Sequence, residues 1–577
     1  MGPANDGDLP KLPRGQNYGG TIAGREPEVL PVLPLDYLVE ALRHLPRHEL
    51  DRALMDRIIP VVSLPGVRLH AACGPRAEAE AKAKGLKLVA TAGREDFHEA
   101  LRWSHGPFLA RDAAREFDAA RPELSARRRL SWVQLVLAAL LALAVAYGIT
   151  VAPAALAWAC ASLVAGLFFL SVITLRILAL LPVPDSRRPP TFPLADGELP
   201  RYSVLVPLYR ETAVLGQLLN ALTRLDYPPH LLDIKLIVED HDLAMRQAIA
   251  AFDLPPAFEM LVVPPGQPRT KPRALNYGLR FARGELLTIF DAEDVPEPDQ
   301  LRRAAETFAS APPEVACLQA ELVFYNHDEN WLARQFTVEY ATLFGLLLPA
   351  LSGNRLPVAL GGTSNHFRIA TLRDCGAWDA YNVTEDADLG MRLARDGFSV
   401  WPLASRTYEE ATVALGNWLR QRARWLKGFL ATWLVHMRDP LRLVSEVGLP
   451  GFWALQALTI GVFASALLHP LCTVGLAIMI YHQPEVVGAG NLAVVSIAGL
   501  SLAVLVLGYA VSLIAGFRGL RRLGIRGWYG TLLTMPFYWL LMAPAAWIAL
   551  WQFITAPSYW GKTAHGLSRT QKPQSGP

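Results

Sequence analysis

From Trp132 the chain runs to Arg176 without a single charged residue. That is more than twice the ~20 helical residues one bilayer crossing needs. Gly148 and Pro153 interrupt the run, so it reads as two helices, about Trp132–Val151 and Ala154–Leu181, joined by a tight turn. Arg127, Arg128 and Arg129 precede the pair, and Arg187 and Arg188 follow it. Positive flanks place both ends on the cytoplasmic side. Apolar segments resume at Phe452–Tyr481, Leu492–Phe517 and Trp528–Thr555. Arg518, Arg521, Arg522 and Arg526 lie between the last two, and Lys562, Arg569 and Lys572 lie in the tail. Both links should then be inside, which conflicts with Trp528–Thr555 as one simple span. Either Pro536 and Pro544 break that segment into a re-entrant or interfacial piece, or an extra turn hides near Pro470; the sequence leaves both open.

Composition agrees with a membrane protein. Of 577 residues 52% are apolar and 19% charged, and the mean hydropathy is +0.23. A net charge of +3 is too even for a dedicated nucleic-acid binder or an acidic disordered chain. The five cysteines form no CxxC pair, which excludes a disulfide framework and a cysteine-rich zinc site and fits a reducing cytoplasm. Residues 1–26 are rich in Gly, Pro and charge, with no signal-peptide core, and read as disordered.

Between the apolar blocks the pattern alternates. Tyr202–Tyr209, Ile234–Asp240, Met260–Pro265 and Glu285–Asp294 read as buried strands; Glu211–Leu222, Lys271–Phe281 and Pro298–Phe308 read as helices. Such repetition predicts an α/β, doubly wound, mostly parallel sheet. Ligands bind outside the carboxyl ends of its strands. Tyr209–Glu211, Glu239–Asp240–Asp242 and Asp291–Glu293–Asp294 all fall at such ends. Closely spaced carboxylates suit a hard cation such as Mg²⁺ that bridges to substrate phosphates. Lys271, opening a helix, is placed to add a phosphate contact. No Walker A loop and no GxGxxG after the first strand are present, which argues against a P-loop motor or a dinucleotide enzyme. Thr384–Glu385–Asp386 precedes a helical run and reads either as a cap with acids in the first turn or as the seat of a general base. Gln421, Arg424 and Trp425 lie on a basic, aromatic amphipathic helix suited to the membrane interface. Trp331–Leu351 reads likewise as interfacial.

Taken in order, Pro207-Leu208-Tyr209-Arg210-Glu211, Glu239-Asp240, Asp291-Ala292-Glu293-Asp294, Gly361-Gly362-Thr363-Ser364, Thr384-Glu385-Asp386 and Gln421-x-x-Arg424-Trp425 resemble the membrane-embedded family 2 glycosyltransferases, the cellulose synthase-like and hyaluronan synthase-like polysaccharide synthases. The resemblance implies a GT-A fold and inverting transfer from a nucleotide-diphosphate sugar, UDP- or GDP-hexose. By it, Asp240 with Glu239 hold the nucleoside, and Pro207, Tyr209, Glu211 and Lys271 also line the donor site. Asp291 and Glu293, with Asp294 beside them, hold Mg²⁺ or Mn²⁺ and the diphosphate. Asp386 is the base, with Glu385 its neighbour, and Arg424 supports the leaving group. Gly362, Thr363, Ser364, Gln421 and Trp425 form the acceptor site. Trp560, Lys562 and Thr563 belong to a segment that closes over the nucleotide. The usual Asp-x-Asp is Asp-Ala-Glu here, and the usual Asp-Asp is Glu-Asp, which lengthens one arm of each pair. No added carboxy-terminal regulatory domain is recognised, so control by cyclic dinucleotide through one is not expected.

The expected organisation is a small α/β amino-terminal domain (27–120), two transmembrane helices (131–181), the GT-A domain with interfacial helices (199–437), three or more transmembrane or re-entrant helices (451–556) and a cytoplasmic tail (557–577). The first unit is similar to the small amino-terminal domains of type II secretion ATPases; a regulatory or partner-binding role is open. The whole points to a multi-pass inner-membrane enzyme extending a polysaccharide. Its partners are the bilayer and a polysaccharide or lipid-linked acceptor, with no nucleic acid, and any periplasmic export partner is unspecified. The alternatives are one sugar placed on a lipid carrier, or an inactive binding or transport protein.

Overall fold

The computed structural model describes residues 30–64, 67–128, 130–151, 154–182, 192–481, 492–557, 559, 561 and 566–570. The expectations placed on residues 1–26, Arg129, Pro153, Arg187, Arg188, Trp560, Lys562, Thr563 and Lys572 lie outside them.

A three-stranded sheet comes first: β1 (Ile58–Leu64), β2 (Val67–Cys73) and β3 (Leu88–Ala92). The main sheet holds β4 (Tyr202–Leu208), β5 (Leu232–Glu239), β6 (Phe258–Val263), β7 (Leu286–Ile289), β8 (Val295–Pro296), β9 (Val315–Phe324), β10 (Asn365–Arg368) and β11 (Ser399–Glu409). Its order is β6-β5-β4-β7-β10-β9-β11-β8. Strands β4 and β5 are buried on both faces, as central parallel strands must be, and mainly apolar, with Ser203 on β4 and Asp233 and Lys235 on β5 as buried polar exceptions. Four of the seven pairings are parallel, but β10 runs antiparallel between β7 and β9, and β8 antiparallel to β11. The sheet is therefore mixed, where the sequence suggested regular double winding. The strand expected over Glu285–Asp294 stops at Ile289. The chain turns there because the Asp291 N–H donates to Asp294 Oδ2 at 2.7 Å and to Thr363 Oγ1 at 3.3 Å.

The segment Trp331–Gly353 is long and apolar enough to cross a membrane. It nevertheless joins β9 to β10, which pair directly at Asn365 and Gln319. Both its ends therefore lead into neighbouring strands of the same sheet. Four other helical stretches pass the same length and composition test: Cys160–Leu180, Ile460–Ile478, Ser496–Arg522 and Met535–Thr555. The last packs along the Leu415–His436 helix. Near its start the Tyr538 hydroxyl donates to Glu339 at 2.8 Å, and past its end Lys427 donates to the Tyr559 carbonyl at 2.6 Å. Pro544 lies inside it without breaking it.

In the first unit a 27-residue helix, Arg94–Ala120, runs where no helix was foreseen; Pro107 and a mixed pattern conceal it. A buried charge cluster ties this unit to the main sheet. Glu259 on β6 accepts from Arg57, from Lys235 on β5 and from His98 at 2.6 Å, while Lys235 also meets Asp233 at 2.9 Å. Burial opposes charge on Glu259, but Lys235 and Arg57 outweigh it and hold the carboxyl well below its usual range. Removing one partner strands the others uncompensated. Glu259→Gln is expected to cost about 3–5 kcal/mol, seen as a lowered unfolding midpoint of the purified protein; an unchanged midpoint would mean the cluster does not hold the units together.

Candidate active site

The carboxyl ends of β4, β5 and β7 open into one cavity of about 1160 Å³. It begins among polar groups of the sheet and ends among residues of the long apolar helices, including Arg176, His469 and Tyr509. Of the residues singled out from sequence, Pro207, Tyr209, Glu211, Glu239, Lys271, Asp291, Glu293, Gly362, Thr363, Glu385, Asp386, Gln421, Arg424 and Trp425 all line it.

Three do not. Asp240 follows Glu239 on the pleat and so points the other way, to Arg102 of the first unit at 3.1 Å and Arg246 at 3.8 Å. Ser364 is fully buried, in the left-handed region at φ 54°, and its hydroxyl meets that of Thr407 at 2.6 Å. Asp294 lies behind the wall, accepting from Thr363 and from the Asp291 N–H. Glu239 does face the cavity, but Arg273 already grips both its oxygens, at 2.9 and 2.6 Å.

The polar floor is crowded with acids. Burial, and then Asp291 and Glu293, push the Asp294 carboxyl well up. Burial pushes up Glu409 at the end of β11, helped by Asp294, Glu293 and Asp291. Sequence reasoning missed Glu409; its only signal was a Glu-Glu pair ending a strand just before the amphipathic helix. Lys271 answers these acids. Its ammonium lies 2.5 Å from Asp291 Oδ1 and donates to the Gly362 carbonyl at 2.7 Å. Burial opposes that charge, yet Asp291, Glu385 and Asp386 outweigh it and hold Lys271 above its ordinary range.

Asp386 sits in the first turn of the Glu385–Arg395 helix, where the Ala387 N–H donates to its Oδ1 at 2.7 Å. Thr384 occupies the cap position but its hydroxyl makes no capping bond. A Cβ on Gly362 would come within 3.1 Å of Asp386 Oδ2, so the glycine keeps the space before that carboxylate open. Burial, then Asp386, raises Glu385 to about 7, and burial raises Asp386 against the pull of Lys271 and Arg424. The Leu415–His436 helix closes the other wall. Its Gly428 allows contact with Thr384, which a side chain would meet at 2.3 Å. Gln421 Oε1 accepts from Thr412 at 3.1 Å. Trp425 meets Phe336 edge-on at 5.9 Å and has Arg422 4.8 Å from its ring centroid. Arg424 faces Glu385, Asp291, Asp386 and Glu293.

Residues 200–428 match the family model described as glycosyltransferase like family 2. A β-monoglucosyldiacylglycerol synthase of Trichormus variabilis is 27% identical over 337 residues, 57% of this chain and 66% of that protein. Cellulose synthase 2 of Novacetimonas hansenii is 27% identical over 269 residues, 45% of this chain and 16% of that protein. A mannosyltransferase of Pyrobaculum calidifontis, solved with GDP-Man and Mn²⁺, is 20% identical, covers 60% of this chain and 97% of its own, and gives a TM-score of 0.36. The chain spans 56–66% of the length of the first curated relatives it matches. Over residues 200–428 this chain is therefore similar to the family 2 glycosyltransferases.

A carboxylate acts as a base only when ionised, and Glu385 and Asp386 share raised affinities for protons. Turnover is therefore expected to fall as pH drops through about 7, where Glu385 gains its proton, measured as initial rate against pH at saturating donor; a rate flat from pH 8 to about 5.5 would mean that turnover does not need Glu385 ionised.

Proposed function

We propose that the protein is a membrane-bound inverting hexosyltransferase that extends a polysaccharide from a nucleotide-diphosphate sugar and passes the product toward the membrane. The observation that carries this is the single cavity holding both Asp386 and residues of the apolar helices. The nucleoside lies against Pro207, Tyr209, Glu211 and Glu239, with Asp240 braced behind them by Arg102. The diphosphate lies near Asp291, Lys271 and Arg424. Asp386 takes the proton of an acceptor hydroxyl; that oxygen bonds the anomeric carbon on the face opposite the diphosphate, whose bond to carbon breaks with inversion. Lys271 and Arg424 balance the charge that departs on the nucleoside diphosphate. Gly362, Thr363, Gln421 and Trp425 seat the acceptor.

The donor set fits a hard divalent cation. Asp294 Oδ1 is buried without a hydrogen-bond partner, and after burial Asp291 and Glu293 raise the Asp294 and Glu409 carboxyls. Among the described residues no group of three or more His, Cys, Asp or Glu side chains is arranged to hold a metal ion by itself. Asp291 and Glu293 would hold Mg²⁺ or Mn²⁺, with Asp294 supporting them. Such a cation, when bound, neutralises diphosphate charge.

In this reading Trp132–Thr150, Ala154–Leu180, Ile460–Tyr481 and Leu492–Arg522 cross the inner membrane, and Met535–Thr555 lies along its cytoplasmic face. An even number of crossings returns the tail to the cytoplasmic side, beside the catalytic domain. The catalytic domain is then cytoplasmic and the amino-terminal unit a brace on its donor side. A second reading, transfer of one sugar to a lipid, is favoured by the likeness to glucosyldiacylglycerol synthases. The gathering of Asp291, Asp386 and Arg424 on one wall speaks against an inactive binding protein.

Purified protein given labelled nucleotide sugars is expected to yield a polymer, whereas a single glycosylated lipid would select the second reading. EDTA is expected to stop turnover, and undiminished activity would remove the cation. Asp386→Asn is expected to lower kcat by about 10²–10⁴ while leaving nucleotide affinity nearly intact, and full turnover would refute the base. Trp425→Ala should raise the KM for acceptor more than that for donor; equal changes would argue against an acceptor contact.

A further inference from the structure

The membrane-side end of the cavity carries charge that the sugar chemistry does not use. Arg176 belongs to the Ala154–Leu180 helix and Ser512 to the Leu492–Arg522 helix beside it. Arg518 donates to the Leu180 carbonyl at 2.7 Å, which marks where these two helices leave the apolar layer. Arg176 lies about 6 Å and Ser512 about 9 Å deeper, at 1.5 Å per residue. At that level the Arg176 guanidinium donates to Ser512 Oγ and sits 5.0 Å from the centroid of the Trp539 ring. Among the described residues it has no carboxylate within 4.0 Å.

Other polar groups gather around it. Trp539 stacks on Tyr509 with centroids 5.2 Å apart. His469 meets both rings edge-on, at 6.2 and 5.9 Å, and its Nε2 is 2.9 Å from the Tyr509 hydroxyl. His469 Nδ1 and, one turn before it, Ser465 Oγ are buried with no hydrogen-bond partner. All six side chains line the same cavity.

A guanidinium held inside the apolar layer is costly unless something balances it. An aromatic face, one hydroxyl and the more distant carboxylate of Glu339 balance it only in part. Two unsatisfied polar atoms beside it cost more. The group that would satisfy all three is an oxyanion, bound to the guanidinium and accepting from or donating to His469 and Ser465. The walls decide its source. Around the cluster the cavity is lined by Phe169, Ile173, Leu476, Val504 and Leu505, which offer nothing to a free ion or a sugar but take up a hydrocarbon chain.

We propose that Arg176, Ser465 and His469 form a binding site for the phosphate of a lipid whose chain lies against the apolar helices. The inference goes beyond the transfer reading and is tested by binding alone, with no nucleotide sugar present. Loss of binding would leave donor turnover untouched, and loss of turnover would leave binding untouched, so the two failures separate.

The test uses the full chain in amphipol and radiolabelled decyl phosphate in equilibrium dialysis. Wild-type protein is expected to bind it saturably. Arg176→Gln is expected to weaken binding by about tenfold or more, and Arg176→Lys, which keeps the charge, by about threefold. Should Arg176→Gln fail to purify, His469→Phe with Ser465→Ala is expected to give about tenfold weakening. Decanol and inorganic phosphate are each expected to compete poorly, because one lacks the anion and the other the chain. Unchanged binding by these variants would overturn the site. Full competition by inorganic phosphate would reduce it to a free-ion site and overturn the lipid, and preferential displacement by a galacturonate oligomer would assign it to a passing polymer instead.

Discussion

The organisation of this molecule rests on too many acids in one buried place. Asp291, Glu293, Asp294 and Glu409 crowd the carboxyl edge of the sheet, where burial and the neighbouring acids oppose the ionisation of Asp294 and Glu409, with Glu385 and Asp386 on the facing wall. Left alone, such a cluster would protonate or push the fold apart. Lys271 and Arg424 make it tolerable, one from the helix after β6 and one from the amphipathic helix. In the proposed reading the same arrangement would accommodate a cation and a diphosphate, so the cluster's electrostatic cost and its affinity for a charged donor are one property.

The amino-terminal unit enters this balance from outside. Arg57 and His98 share Glu259 with Lys235, and Arg102 meets Asp240 one residue past the cavity wall. A domain that supplies cations to strands β5 and β6 stabilises the strand end bearing Glu239. Its position beside the donor pocket makes it part of the catalytic architecture in a mechanical sense, whatever else it binds.

The membrane-facing half follows from one topological fact. β9 and β10 pair directly although an apolar segment of spanning length separates them in sequence. That pairing keeps the segment against the sheet, where Phe336 and Tyr340 become walls of the cavity. Arg422 then bridges this segment to the later helices through Glu339 and Tyr538. The apolar helices are thereby drawn over the floor of the cavity, and one hollow reaches from the carboxylates to residues of those helices.

Much of this was legible in the residues themselves. Strands β4, β5 and β6 are mainly apolar runs, broken by Ser203, Asp233, Lys235 and Glu259, which suit doubly covered strands, and the acids after β4 and β5 fall at the edge where such sheets bind ligands. The helices Trp132–Thr150 and Ala154–Leu180 were equally plain, because 44 residues without charge, interrupted at Gly148 and Pro153, read as two apolar helices. What sequence could not determine depended on which way a side chain points and on partners far along the chain. Adjacent acids Glu239 and Asp240 are equivalent as letters, yet the pleat sends one to the cavity and the other to Arg102. Glu409 reaches the acid cluster only because β11 pairs with β9, and β10 inserts antiparallel only because the chain doubles back through the apolar segment. Local chemistry selects elements, whereas facing, register and the meeting of distant charges are decided by packing the whole chain at once.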